Sequence, residues 1–241
     1  SHYLHLFIWN TQTAELVGAY RMGLADEILA GYGKRGLYTN SLFRYRAQVL
    51  RSINPAIELG RSFVRAEYQK SFSPLMLLWR GVGQFVVRNP RYAVLFGAVS
   101  ISNRYAQLSR QLMVDFLKLH RIDPALARYV KPRRPFRGRR LGMADEINST
   151  GLKNLEELSQ LLAQIESDGK GVPILLKQYL KLGGRLLGFN LDDQFGDALD
   201  GLVVVDLRRT DVAVLTHYMG ESGAKAFLEH HAVPRHEARS S

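Results

Sequence analysis

The sequence contains no cysteine. That excludes a disulfide scaffold, a thiolate nucleophile and any cysteine-ligated zinc or iron–sulfur centre. Long apolar runs are missing too. No stretch of about 18 uninterrupted apolar residues occurs, so no segment reads as a membrane-spanning helix. No initiator Met, charged n-region or signal-peptide core comes before Tyr3-Leu-His-Leu-Phe-Ile-Trp9. The chain opens inside a strand and reads as an N-terminally truncated piece of a longer polypeptide. Its seven histidines show no His-x-x-x-His or Glu-x-x-His spacing backed by carboxylates, so no metal site is expected. There is no Gly-x-Ser-x-Gly elbow and no internal repeat. Acidic residues are relatively scarce: 22 Asp and Glu face 33 Lys and Arg, a net charge of +11. An anionic partner is implied, whether nucleic acid, an anionic lipid surface or an acidic protein.

What is present is globular. Of 241 residues, 46% are hydrophobic and 23% charged, which suits a packed core and not a disordered chain. Strand-like and helix-like periodicities alternate. Residues 3–9 and 15–22 flank Asn10 to Thr13 as a hairpin. A short helix over 24–32 ends at Gly31 and Gly33. Residues 36–44 read as extended, 46–53 as helical and 55–64 as a strand. Ser73-Pro74 is a good helix start. Beyond it Leu75, Leu78, Trp79, Val82, Phe85 and Val86 share one helical face. Residues 92–101 form a second, nearly continuously apolar strand, as expected when both faces are covered. Helices are expected over 103–120, 152–167, 172–187, 211–218 and 222–231, and a valine-rich strand over 202–207. The prolines at 124, 132 and 135 break the pattern, so 122–150 reads as a basic, irregular insertion. Residues 234–241 read as a flexible tail. The expected fold is a single α/β domain, a mixed central sheet with helices on both faces.

The segment richest in chemistry is Ala56-Ile-Glu-Leu-Gly-Arg-Ser-Phe-Val-Arg65. Strict alternation puts Glu58, Gly60 and Ser62 on one face and Leu59, Arg61 and Phe63 on the other. A carboxylate in a buried strand is costly unless paired or functional. A strand carboxylate, a loop and then a helix N-terminus suit acyl or phosphate chemistry. From pattern alone, a structural ion pair between Glu58 and Arg61 at a sheet edge ranks higher.

Glu58-Leu-Gly-Arg-Ser-Phe-Val64, followed by Tyr68-Gln69 and Leu77-Leu-Trp-Arg-Gly81, resembles the acyl-carrier-protein-dependent N-acyltransferase branch of the GNAT superfamily. This branch includes ornithine-lipid N-acyltransferases and N-acyl amino acid synthases, often labelled haemolysins, and more remotely acyl-homoserine-lactone synthases. The likeness continues at Val17-Gly-Ala-Tyr-Arg21, Gly36-Leu-Tyr-Thr39, Leu95-Phe-Gly-Ala-Val-Ser100, Leu176-Lys-Gln-Tyr-Leu-Lys-Leu-Gly-Gly184 and Asp200-Gly-Leu-Val-Val-Val-Asp206.

The resemblance implies a GNAT-like fold and direct attack of a small amine, such as an amino acid, on a long-chain acyl thioester. The thioester is carried on the phosphopantetheine of acyl-carrier protein or CoA, with no bound cofactor and with lipid biosynthesis as the setting. An ammonium is not nucleophilic, so a base must take its proton. By resemblance Glu58 is that base, Arg61 orients Glu58 or the acceptor carboxylate, and Ser62 completes the catalytic set. Backbone N–H groups of Phe63 and Val64, at a strand splay, would stabilise the oxyanion. Gln69, Lys70, Ser71, Asn103 and Tyr105 are donor-binding candidates, and Arg21 and Ser100 acceptor-binding candidates.

The loop Gln69-Lys-Ser-Phe-Ser-Pro74 departs from the family's glycine-rich phosphate cradle, and Pro74 has no N–H to offer. That favours acyl-carrier protein over CoA. Lysolipid O-acylation, or a basic membrane-peripheral module without catalysis, are the alternatives. Six basic residues and no acid lie within residues 131–140, more than half of the +11 excess. Arg133, Arg134, Arg137, Arg139 and Arg140 would dock acyl-carrier protein or an anionic membrane, with Phe136 as an apolar foothold. Nucleic acid ranks last, because no recognition-helix or RNP pattern accompanies the charge. The expected location is cytoplasmic, at the inner face of a bacterial membrane.

Overall fold

The computed structural model describes residues 2–69, 73–138, 152 and 154–232. A six-stranded sheet forms the centre, in the order β1-β2-β4-β5-β8-β7. Its strands are β1 (Leu4–Asn10), β2 (Glu15–Leu24), β4 (Ala56–Val64), β5 (Val94–Ile101), β7 (Arg185–Asp192) and β8 (Ala198–Asp206). Only β4 and β5 run parallel; the other pairs are antiparallel. A two-stranded ribbon joins β3 (Phe43–Tyr45) to β6 (Val130–Pro132). The mixed α/β architecture, mostly antiparallel and flanked by helices, is consistent with the expected GNAT-like fold.

Each face of the sheet has its own core. On one side α1 (Ala25–Tyr32), α2 (Ala47–Ile53) and the ribbon bury Ile28, Phe43, Val49, Ile53 and Val130 against Ala56, Phe96, Leu202 and Val204. On the other side lie α3 (Ser73–Arg88), α4 (Gln107–His120), α6 (Leu155–Ile165), α7 (Ile174–Lys181), α8 (Val212–Met219) and α9 (Glu221–Ala232), with α5 (Pro124–Ala127) a single turn between α4 and β6. The apolar stripe of α3 is buried through Leu78, Trp79, Val82 and Val86, as the periodicity predicts. Trp79 sits among Tyr20, Tyr179 and Tyr218, with ring centroids 5.0–6.0 Å away. Burying one such aromatic contributes on the order of 2–3 kcal/mol. Gly83 lets α3 approach α8, since a Cβ there would lie 2.7 Å from the Tyr218 carbonyl oxygen.

The structure corrects four expectations. Residues 36–44 are not extended: 3-10 turns Gly33–Gly36 and Tyr38–Ser41 precede β3. The helix expected from 103 begins at Gln107. The expected helix 172–187 ends at Lys181, because Gly183 adopts φ +85°. The leucines that extended its pattern belong to strand β7, which sequence reasoning missed. Finally, residues 122–138 are built into the fold. β6 pairs with β3, Pro135 bridges to Asn190, and Phe136 packs on the larger core. Prolines interrupt that ribbon without abolishing it, since an edge needs backbone bonds on one side only. Among the described residues, no helix is long and apolar enough to cross a membrane.

Candidate active site

The β4–β5 pairing covers only Ala56–Leu59 against Val94–Gly97. At its end the backbones press together: a Cβ on Gly97 would stand 2.1 Å from the Leu59 carbonyl oxygen. Beyond it the strands part. The gap is a cleft of about 480 Å³ lined by Tyr38, Arg61, Ser62, Phe63, Ala98, Ser100, Leu175 and Phe195. Its walls are mainly apolar or aromatic, with a few hydroxyls and one guanidinium, a composition suited to a small-molecule or thioester site.

A bulge shapes the β4 wall. Gly60 pairs with Arg21 and Phe63 with Ala19, so Arg61 and Ser62 together face Tyr20. Arg61 takes a left-handed conformation, φ +50°. The extra residue breaks the alternation and corrects the expected faces. Arg61 joins the Glu58 face, its guanidinium 5.1 Å from the Tyr38 ring centroid and 5.0 Å from that of Phe195. Ser62 turns towards Tyr20, which bonds Tyr179 at 2.8 Å. Past the bulge, Arg65 N–H donates to Val17 O at 2.9 Å. The ladder therefore turns the Phe63 N–H to β2 and leaves the Val64 N–H pointing into the splay.

Glu58 is 1% exposed and fully engaged. Its Oε1 accepts from Thr39 N–H (2.7 Å) and Thr39 Oγ1–H (2.6 Å). Its Oε2 accepts from Tyr3 O–H (2.5 Å) and Tyr38 N–H (3.1 Å). Among the described residues no ion pair joins it to Arg61, so the structural pair that pattern reasoning favoured is not formed. Glu58 instead fastens the Tyr38–Ser41 turn to the sheet, lies outside the cleft lining, and sets the position of the Tyr38 ring within it.

The acceptor candidates lie on two sides of Tyr38. Ser100 is exposed to the cleft. Arg21 lines a neighbouring basin of about 410 Å³ with Arg35, Arg133, Tyr3 and Tyr38. Its guanidinium lies 4.2 Å from the Tyr3 ring centroid and 5.2 Å from that of Tyr38, and its buried Nε has no hydrogen-bond partner. Several donor candidates are committed to the fold. Gln69 Nε2–H donates to Val64 O (2.6 Å), Asn103 Nδ2–H to Gly196 O (2.7 Å) and Tyr105 O–H to Gly171 O (2.6 Å). Burial first, then Glu166 and Asp168, push the Tyr105 hydroxyl up to about 12. Lys70, Ser71, Arg139 and Arg140 lie outside the described residues. Arg134 pairs with Asp193 (2.9 Å) and Asp197 (3.6 Å), whereas Arg133 Nε–H donates to Asn40 O and Arg137 is exposed.

Sequence reasoning missed Asp200. It is 2% exposed, directly opposite Ser100 in the β5–β8 ladder. Ser100 Oγ–H donates to its Oδ1 at 2.5 Å. Burial foremost, with Asp192 nearby, pushes Asp200 up to about 6 although the Ser100 bond opposes the shift. The available signal was a carboxylate opening an otherwise apolar strand. Among the described residues, no group of three or more His, Asp or Glu is placed to hold a metal ion.

Comparison with known proteins points the same way. Residues 1–80 match the family model of the acetyltransferase (GNAT) domain. The glycine N(alpha)-acyltransferase of Phocaeicola vulgatus is 29% identical over 212 residues, covering 81% of this chain and 62% of that protein. The glycine N(alpha)-acyltransferase of Bacteroides thetaiotaomicron is 30% identical over 219 residues, covering 85% and 64%. The chain thus spans somewhat under two thirds of the length of both relatives. No solved structure matches it. Its similarity is to a GNAT acetyltransferase domain at the amino end and, over most of its length, to proteins named for acylating the α-nitrogen of glycine.

Proposed function

We propose that this chain is the acyl-transferring part of an N-acyltransferase. It joins an acyl group, delivered as a phosphopantetheine thioester, to the amine of an amino acid by direct attack. Glycine is the favoured acceptor, because both relatives are named for it. The observation that carries the reading is the splayed β4–β5 cleft, with the Arg61, Ser62 and Ser100 side chains at its walls and the β4 ladder turning the Val64 N–H away from β2.

The thioester carbonyl lies across the splay, and the Val64 N–H stabilises the oxyanion that forms as nitrogen attacks. Phe63, Phe195 and Leu175 shelter the pantetheine arm and the start of the acyl chain. Arg61 holds the acceptor carboxylate at the cleft. A second guanidinium, Arg21, with its unsatisfied Nε, gathers anions from the adjoining basin. Arg35 and Arg133 give that edge a positive field. An acidic acyl-carrier protein is the favoured donor, since residues 69–74 depart from a two-phosphate cradle. A long-chain product would be an amino-acid lipid, handed to a membrane surface.

The test is to incubate the purified chain with long-chain acyl-carrier-protein and acyl-CoA thioesters and a panel of amino acids and lysolipids, following products by mass spectrometry. N-acylglycine is expected, faster from the carrier protein. Formation of a lysolipid ester instead, or no amide with any amine, overturns the reading.

A further inference from the structure

An ammonium acceptor must lose two protons to become an amide, and the chemistry needs a group to receive the one that the departing thiolate does not take. Glu58 already accepts four hydrogen bonds and is walled off from the cleft by the turn it holds. Asp200 differs on both counts. Among the hydrogen bonds of the described residues it accepts only one, and that donor, Ser100 Oγ, is itself exposed at the cleft wall.

We propose that Ser100 and Asp200 form the proton relay of the acyl transfer: Ser100 touches the attacking nitrogen, and Asp200 receives the proton through it. The inference rests on the acyl-transfer reading above. The acceptor ammonium loses one proton to free the lone pair that forms the C–N bond, and a second as the C–S bond breaks and the amide N–H is left. One passes to Ser100 Oγ while the serine proton moves to Asp200 Oδ1. The other neutralises the departing thiolate. Asp200 then returns its proton to solvent, so the step balances without any added reagent.

The surroundings fit this role. Three elements face Asp200. Ser100 comes from β5, and Asn190 and Asp192 from β7. Tyr38 comes from its 3-10 turn, with Arg61 of β4 over the Tyr38 ring. The Asn190 side chain is occupied by Arg134 N–H and Leu191 O. No cation forms an ion pair with Asp200 among the described residues, and burial raises its proton affinity to about 6. That value leaves it ionised near neutral pH yet a far better acceptor than an ordinary aspartate. The cross-strand register fixes the pair, since Ser100 and Asp200 stand directly opposite and no loop need move to join them.

The test measures kcat and KM for glycine against pH for the full chain and for S100A, S100T and D200N, with long-chain acyl-carrier protein or acyl-CoA as donor and thermal unfolding followed in parallel. The relay predicts a rate that rises through about pH 6 in the unmodified chain. D200N and S100A should lose kcat by about 100-fold or more, with KM for glycine nearly unchanged and the limb near pH 6 gone. S100T, which keeps the hydroxyl, should recover most of the rate. Full activity in folded D200N or S100A, or a loss confined to KM with the pH profile intact, overturns the relay alone. No turnover by the unmodified chain with any amine overturns the acyl-transfer reading and the relay together.

Discussion

Glu58 and Asp200 are both buried carboxylates on central strands, yet their surroundings differ in one decisive respect. Glu58 has a donor for each available lone pair: two backbone N–H groups and two hydroxyls. Asp200 has a serine hydroxyl on one oxygen and a second acid nearby. A saturated carboxylate is a structural anchor, because releasing it leaves several buried donors unpaired. An under-satisfied one stores the cost of its burial as raised proton affinity. The same side-chain chemistry thus serves as a clamp on β4 and as a proton acceptor on β8, and the division is set by hydrogen-bond count rather than by depth.

The contrast can be broken at either end. The largest effect is expected for Glu58→Ala. It should lower unfolding free energy by about 3 kcal/mol or more, since Thr39 and Tyr38 lose their acceptor, and hydrogen exchange should rise selectively over residues 37–41. An unchanged stability would remove the clamp. Asp200→Asn should act oppositely. Its folded pKa is raised from 3.8 to about 6. The carboxyl's contribution to stability is therefore fully present below about pH 4 and is lost as pH rises through about 6. Near pH 7.5 the fold carries a penalty on the order of 2–3 kcal/mol, which the neutral amide removes while keeping the Ser100 bond. Denaturant midpoints should show D200N more stable at pH 7.5 and equal to the unmodified chain at pH 4. Next, Gly97→Ala should cost roughly 2 kcal/mol by forcing β4 and β5 apart at the mouth of the cleft. Smallest is Arg61→Gly, expected to raise stability by about 0.5–1 kcal/mol by relieving a left-handed non-glycine residue. The same change should weaken acceptor binding, seen as a higher KM.

The anchor was legible in the sequence as a costly residue, though not in its partners. The β-hairpin and the strand–helix–strand run β4–α3–β5, with its helix started at Ser73-Pro74, could be read because each is written in local periodicity. β7 could not, since leucines at helical spacing run across Gly183-Gly184 and hide the break. The Arg61 bulge depends on how Tyr20 meets two residues of β4, which no single-strand pattern contains. Because of it, a strict alternation put Arg61 and Ser62 on each other's faces. Asp200 opens a valine-rich motif in the sequence, but its meaning comes from a serine 100 positions earlier, placed opposite it by the β5–β8 register. The basic stretch is legible as charge but not as structure: Arg134 is paired with Asp193 and Asp197, and the backbone of 130–132 is laddered to β3.

The division between the two carboxylates is tested most directly by titrating Asp200 itself. Carboxyl carbon shifts of the labelled chain, assigned with D200N, should give a midpoint near pH 6 for this residue. A midpoint near the ordinary aspartate value of about 4 would show that Asp200 is as well satisfied as any surface acid, and would contradict the account.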